Sequence, residues 1–305
     1  MSRAVAVIDV GTNSTNLLVV AADGTDLARD VVSTRLGAGL GATDSLSDDA
    51  IARTVQTISG HATTASSLGV ESITVTGTAA CRRATNIAQL SAAVASATGL
   101  HLEVLSERDE ARLSFDGALC GLSHDDVPTL VIDIGGGSTE YVVGVREAEH
   151  WASIPFGAVT STESHFSSDP PRPEDLSNLI GAVSDELEEL GRTMPVLAQP
   201  GRVVGVAGTI VTVAAVELGL ATFDDATLHG MELTRDAAED VFRTLATEAP
   251  RERAMNPGLS ASRVDIIVAG CCILVATMRR LRLDAITVST RSLLDGVAMR
   301  ERLGA

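Results

Sequence analysis

One arrangement occurs twice in this chain at an offset of 124 residues: an apolar strand, a glycine-rich turn and a second apolar strand. Ala4–Ile8 is a continuous apolar run that leads into Asp9, Val10, Gly11, Thr12, Asn13, Ser14 and Thr15. Leu130–Ile132 leads likewise into Asp133, Ile134, Gly135, Gly136, Gly137, Ser138, Thr139 and Glu140. Val7, Ile8, Asp9, Gly11, Ser14 and Thr15 recur without a gap as Val131, Ile132, Asp133, Gly135, Ser138 and Thr139. Strands resume at Leu17–Val20 and Tyr141–Val145. Six identities over nine positions point to a duplicated domain with equivalent hairpins. A weaker echo places a Gly-Thr at a strand end in each half, Gly77-Thr78 and Gly208-Thr209.

The rest alternates strands with helical periodicity, the pattern of sheets covered by helices. Helices are expected near residues 48–68, 87–98, 107–121, 173–191, 209–219, 235–247, 260–281 and 292–303. The polar, acidic stretch from Gly121 to Pro128 is the expected domain boundary. This divides the chain into 1–122 and 123–305, with the final helix, about 292–305, packing back on the first domain.

Charge narrows the function classes. Forty acidic residues oppose 23 basic ones, all of them arginine, for a net charge of −17. A general nucleic-acid binder or a basic membrane-surface protein is disfavoured. A polyanion held in a local arginine-lined cleft is not. Without lysine, Schiff-base and P-loop-lysine chemistry are closed. Cys81, Cys120, Cys271 and Cys272 form no CxxC pair and read as reduced thiols. The six histidines, at 61, 101, 124, 150, 165 and 229, share no motif. The start of the chain does not read as a secretory signal. The uncharged run Ile266–Met278 is too short to span a bilayer and reads as a buried helix.

The turns carry the chemistry. Glycines let backbone N–H groups converge on an anion, and Ser or Thr adds hydroxyl donors. An Asp at a strand end can hold a hard cation. Two such hairpins facing each other would clamp a phosphate chain between domains.

At this point the residues resemble the actin-like ATPase-domain superfamily, and within it the exopolyphosphatase/guanosine pentaphosphate phosphohydrolase (Ppx/GppA) family. Ile8–Ser14 resembles the first phosphate loop of that family and Val131–Glu140 its second. Gly77–Asn86 is similar to its (A/G)T-x-x-x-R-x-A-x-N segment, and Leu105–Arg112 to its S-G-x-E-E-A-R segment, with Glu107 for Gly and Asp109 for the first Glu. Ala207-Gly208-Thr209 fits too, as does Pro257-Gly258-Leu259 with Arg263, Asp265 and Gly270. Ser292–Gly296 lacks the arginine of the family's G-L-R-E-G, for which Arg291 is the nearest substitute.

The resemblance implies two actin-like (ribonuclease H-like) α/β domains, each a mixed sheet covered by helices, with an interdomain cleft. It implies Glu110 as general base, although alone this residue reads as part of a solvated helix N-terminus. Phosphate would be bound by Gly11, Asn13, Ser14, Thr78, Arg82, Gly135, Gly136, Gly137, Ser138, Gly208 and Thr209. Asp133, Glu140 and Asp9 would hold Mg²⁺, with Mn²⁺ as the alternative metal. The expected activity is release of terminal orthophosphate from inorganic polyphosphate. Hydrolysis of pppGpp at its 5′ end is the alternative enzyme, and a non-catalytic polyphosphate or alarmone binder the alternative of another class. Scarce aromatics, 2% of residues, offer no evident guanine platform and favour polyphosphate. A cytoplasmic homodimer that binds neither nucleic acid nor membrane is expected. Longer family members carry a helical C-terminal region that this chain lacks, from which short or medium chains and distributive action are expected.

Overall fold

The apolar run ending at Asp9 forms β1 (Val5–Val10), which pairs antiparallel with β2 (Ser14–Val20). β3 (Asp26–Ser33) extends the sheet antiparallel to β2. The computed structural model describes residues 3–123, 126–198 and 200–303. After β3 come the short α1 (Leu40–Thr43) and the long α2 (Asp48–Ser67). The Ala50 N–H donates to the Ser47 hydroxyl at 3.3 Å, and Asp48 and Asp49 occupy the first turn of α2, where the helix dipole favours carboxylates. β4 (Ser72–Gly77) returns parallel to β1. Helices α3 (Ala79–Arg83) and α4 (Ile87–Thr98) lead to β5 (Leu102–Val104), parallel to β4, and then to α5 (Glu107–Ala118). The strand order is β3-β2-β1-β4-β5.

The second half repeats this wiring. β6 (Thr129–Ile134), β7 (Thr139–Gly144) and β8 (Ala148–Ile154) form the antiparallel part. Helices α6 (Ala158–His165) and α7 (Pro173–Thr193) precede β9 (Arg202–Val206), which is parallel to β6. Then follow α8 (Ala207–Glu217), α9 (Asp225–Leu228), β10 (Glu232–Thr234), α10 (Arg235–Thr247), α11 (Pro250–Arg253), α12 (Ile267–Arg280), β11 (Ala285–Val288) and α13 (Leu293–Leu303). This sheet has the order β10-β11-β9-β6-β7-β8. Read from its β8 edge, it reproduces the order of the first sheet and adds β10 antiparallel at the end. The fold is therefore two mixed sheets covered by helices, as the actin-like resemblance implies.

The chain divides into two compact units, Met1–Gly117 with Leu293–Ala305, and Ala118–Ser292. Within the acidic stretch read as the boundary, His124 and Asp125 lie outside the described residues. In the first unit every β1 residue is buried, because helices cover both faces of the sheet. Ala6, Ile8 and Val10 join a core that includes residues of α2 and α4. Val5 and Val7 face the other way, onto Leu113 of α5 and Leu293, Leu294, Val297 and Ala298 of α13. Strand alternation therefore turns Asp9 toward the α5 side. A Cβ on Gly296 would overlap the Leu113 carbonyl oxygen, so a glycine lets α13 seat directly on α5. In the second unit α12 is buried from Ile267 to Met278, as its apolar sequence implies. It starts at Ile267 and not near 260, because Ala261–Arg263 forms a 3₁₀ turn first. Among the described residues no helix is long and apolar enough to cross a membrane.

Candidate active site

In the first unit, the turn after β1 is closed by a 2.9 Å hydrogen bond from the Gly11 N–H to the Ser14 carbonyl. The chain after β3 pins it from outside: the Arg35 N–H donates to the Asn13 carbonyl at 2.8 Å and the Gly37 N–H to the Thr12 carbonyl at 2.9 Å. Arg35 adopts φ 50° at this bend. Asn13 is buried, and Ser14 is half-buried. Asp9 is buried and accepts a 3.1 Å hydrogen bond from the Thr76 hydroxyl on neighbouring β4.

Arg82 and Glu110, 28 positions apart in sequence, meet because β4 and β5 run parallel, with Gly77 opposite Val104. The chain leaves both strands at the same end, the usual location of ligand sites in such sheets. Thr78 follows β4 at the N-cap of α3, and Arg82 occupies the last turn of that helix. Glu110 lies in the first turn of α5. The Arg82 Nη1 donates to Glu110 Oε2 in a short ion pair and to the Leu105 carbonyl at 3.2 Å. Only 19% of the Arg82 side chain and 12% of the Glu110 side chain are exposed. Cys81 lies beneath. Burial pushes its thiol up to about 12, and the nearby Asp9 and Glu110 carboxylates push in the same direction. It is therefore no thiolate nucleophile at neutral pH.

The second unit has the same turn, with the Gly135 N–H donating to the Ser138 carbonyl at 3.0 Å. The start of α6 clasps it. The Ala158 N–H donates to the Gly135 carbonyl at 2.9 Å, the Val159 N–H to Gly136 at 2.8 Å, and the Thr160 hydroxyl to Gly137 at 3.2 Å. With those carbonyls taken, the loop is held in one conformation. Asp133 and Glu140 are cross-strand partners on one face. Glu140 is 4% exposed and its Oε1 accepts from the Ser138 hydroxyl at 2.6 Å and from Ser153 at 2.9 Å. Ser138 thus donates its hydroxyl hydrogen bond to Glu140 and presents lone pairs outward, which suits a cation or water better than a phosphate oxygen.

The two hairpins differ where chemistry would. Asn16 pairs with Asp9, whereas Glu140 pairs with Asp133. Thr76 lies beside Asp9 on the parallel strand, and Val206 beside Asp133. The second hairpin therefore concentrates carboxylate charge, and the first hands part of its single carboxylate to a hydroxyl. Two carboxylates and a hydroxyl oxygen suit Mg²⁺, which usually takes one or two carboxylates and completes its shell with water and substrate phosphate. Among the described residues, no group of three or more His, Cys, Asp or Glu side chains forms a closed metal site.

Gly208 and Thr209 open α8 just after Ala207, which adopts φ 65°. Thr209 is 1% exposed and lies against Gly270 of α12, so its side chain faces the interior and only its backbone remains for an anion. The reverse case is Arg263, which fits the family pattern in sequence without an expected role at the site. Its guanidinium lies on Gly208, so that a Cβ there would overlap Nη2 and Cζ. Arg263 is half-buried, and this burial lowers its pKa to about 10, so it is a partly desolvated cation at a helix N-terminus. A Gly208→Ala variant should push this flexible side chain aside without unfolding the unit. The expected result is a roughly tenfold weaker phosphate interaction, about 1.4 kcal/mol, with a thermal midpoint within about 3 °C of wild type; titration calorimetry and a melt check both.

The model of the Ppx/GppA phosphatase family matches residues 17–304. A protein named Exopolyphosphatase 2 from Mycobacterium tuberculosis is 33% identical over 97% of this chain and 97% of its own length. A guanosine-5′-triphosphate,3′-diphosphate pyrophosphatase from Vibrio cholerae is 31% identical over 97% of this chain, which spans 60% of that protein. The crystal structure of an exopolyphosphatase from Cytophaga hutchinsonii superposes with a TM-score of 0.89 at 25% identity, covering 99% of both chains. Twin glycine turns, the Arg82–Glu110 pair and a match across nearly the whole length agree, and the chain belongs to the Ppx/GppA phosphatase family.

Proposed function

We propose that this protein is an exopolyphosphatase that removes terminal orthophosphate from inorganic polyphosphate in a Mg²⁺-dependent hydrolysis. The observation that carries the reading is the Arg82–Glu110 pair at the shared end of β4 and β5, beside the first glycine turn. A pure binding module has no use for a carboxylate next to a polyanion, which it would repel. A hydrolase needs that carboxylate to take the proton from water as it attacks phosphorus in line. The full-length likeness to a protein named exopolyphosphatase, against partial coverage of the pyrophosphatase relative, supports polyphosphate over pppGpp. The dimeric, cytoplasmic form belongs to the same proposal.

In this reading Glu110 accepts the proton. Arg82 binds the terminal phosphate with its guanidinium fork. Backbone N–H groups of Asn13 and Ser14, and those of Gly136, Gly137 and Gly208, cradle phosphate oxygens, with Gly11 and Gly135 closing the two turns, and Arg263 adds a second cation. Asp133 and Glu140 would hold Mg²⁺, with Asp9 supporting the first loop through Thr76. When bound, the metal offsets charge on the phosphate oxygens.

The test is orthophosphate release from polyphosphate and, in parallel, from pppGpp, each with Mg²⁺ or with EDTA. Release from polyphosphate that stops in EDTA supports the proposal. Release from pppGpp alone selects the alternative enzyme, and release from neither removes the catalytic reading. Asp133→Asn should raise the Mg²⁺ concentration for half-maximal rate by about tenfold or more, since losing even an outer partner of a metal ligand costs about that much. An unchanged Mg²⁺ requirement takes Asp133 out of the metal site.

A further inference from the structure

We propose that Arg82 is a substrate-operated latch on Glu110: without substrate it holds the carboxylate, and the terminal phosphate draws it away and releases the base. This rests on the exopolyphosphatase reading and goes beyond it, because it assigns Arg82 two successive partners.

The geometry makes the exchange self-consistent. Arg82 Nη1 is committed to Glu110 Oε2 and to the Leu105 carbonyl. The carbonyl bond can serve as a pivot, since it belongs to the backbone between β5 and α5 and does not depend on the Glu110 side chain. A guanidinium has five donors in a planar fork, and a phosphate presents two oxygens to it at once. Phosphate and carboxylate therefore compete for one half-buried cation, and the incoming anion replaces a bond already made. While paired, Glu110 has its Oε2 occupied by the guanidinium, so that oxygen is not open to a water. Binding thus couples to activation: the group that recognises the terminal phosphate is the group that uncovers the base. Bulk water entering an empty site meets a restrained carboxylate. Other charged or titratable groups near the pair are Asp9 from β1, Cys81 and Arg83 from α3, and Glu107, Arg108 and Asp109 on the first turn of α5 itself.

The discriminating measurement is a double-mutant cycle on binding, because ordinary charge repulsion also makes Glu110→Gln bind anions better. The probe is the methylene-bridged analogue of triphosphate, which cannot be hydrolysed, titrated calorimetrically at constant Mg²⁺. Glu110→Gln should bind it about tenfold more tightly than wild type. In an Arg82→Gln background the same Glu110→Gln change should alter affinity less than about twofold, because there is no latch left to release. An Arg82→Lys background should restore part of the gain, and it replaces the Gln background if a thermal melt shows that variant unfolded. A gain of equal size in all backgrounds is repulsion alone and overturns the latch. No gain in the wild-type background overturns it as well. An analogue that fails to bind wild type at all overturns the phosphoanhydride reading itself, a result distinct from either.

Discussion

Glu110→Gln is expected to lower turnover on polyphosphate about 10²–10⁴-fold, the scale on which a positioned general base acts. Gln has the shape of Glu and keeps an oxygen that can accept from Arg82, so the link between α3 and α5 weakens without leaving a hole. It cannot take a proton from water. The start of α5 loses one of three acidic residues, Glu107, Asp109 and Glu110, in its first turn. In a partly buried geometry that dipole interaction is worth about 2 kcal/mol at most, and Arg82 keeps the Leu105 carbonyl and the Gln oxygen as acceptors, so the change is too small to unfold the unit. Rate and stability should therefore separate: a folded protein, KM unchanged or lower, and kcat nearly abolished. Stopped-time orthophosphate assays under saturating substrate measure the first, and a thermal melt the second. Wild-type turnover in a folded variant would remove Glu110 from the mechanism.

The hairpins were legible because their signal is local. A strand run, an Asp, glycines and a Ser within ten residues specify a turn whatever surrounds it. The recurrence at Asp9 and Asp133 then implied a duplicated domain with equivalent hairpins. The long helices were legible for the same reason, and α2, α4, α7, α10 and α13 start within a residue of where periodicity put them. The pairing of Arg82 with Glu110 was not legible. It depends on the register that sets Gly77 beside Val104, and no local pattern encodes a parallel register. Thr209 shows the opposite failure. A Gly-Thr at a strand end reads as an anion loop, but α12 brings Gly270 against the threonine and turns it inward. Arg263 was visible as a motif residue, yet its place on Gly208 follows from the 3₁₀ turn that delays α12. A helix begun near 260 would have carried it elsewhere. Charge at the hairpins was readable in part: Glu140 announced itself in sequence, while the hydrogen bond that it accepts from the Ser138 hydroxyl is a feature of the folded turn.

The largest stability effect should come from a residue outside the chemistry. Arg253, at the end of α11, is 1% exposed, the bulkiest fully buried side chain in the second unit. All five of its N–H groups are used. Nε donates to the Leu245 carbonyl at 2.8 Å, Nη1 to the Val264 carbonyl at 2.9 Å and to Asp169 at 3.2 Å, and Nη2 to the Glu248 carbonyl at 2.9 Å and to Asp169 at 2.7 Å. One guanidinium thus ties the end of α10, the turn that leads into α12, and the loop before α7. Asp169 keeps 37% of its side chain exposed and can return to water. The three backbone carbonyls lose their donor in place, at about 1–3 kcal/mol for each that stays dry. Arg253→Met, close in length but without donors, should therefore cost about 3–5 kcal/mol, the range for removing one partner of a buried ion pair. For a unit of this size that lowers the thermal midpoint by roughly 6–20 °C. Arg253→Lys should fall between, since three donors on a point charge cannot meet five acceptor sites. The same loss should loosen the 3₁₀ turn that sets Arg263 on Gly208, so phosphate binding should weaken below the melting range too. A midpoint for Arg253→Met within about 2 °C of wild type would show that the three carbonyls find other donors and that this side chain is not the tie it is taken to be.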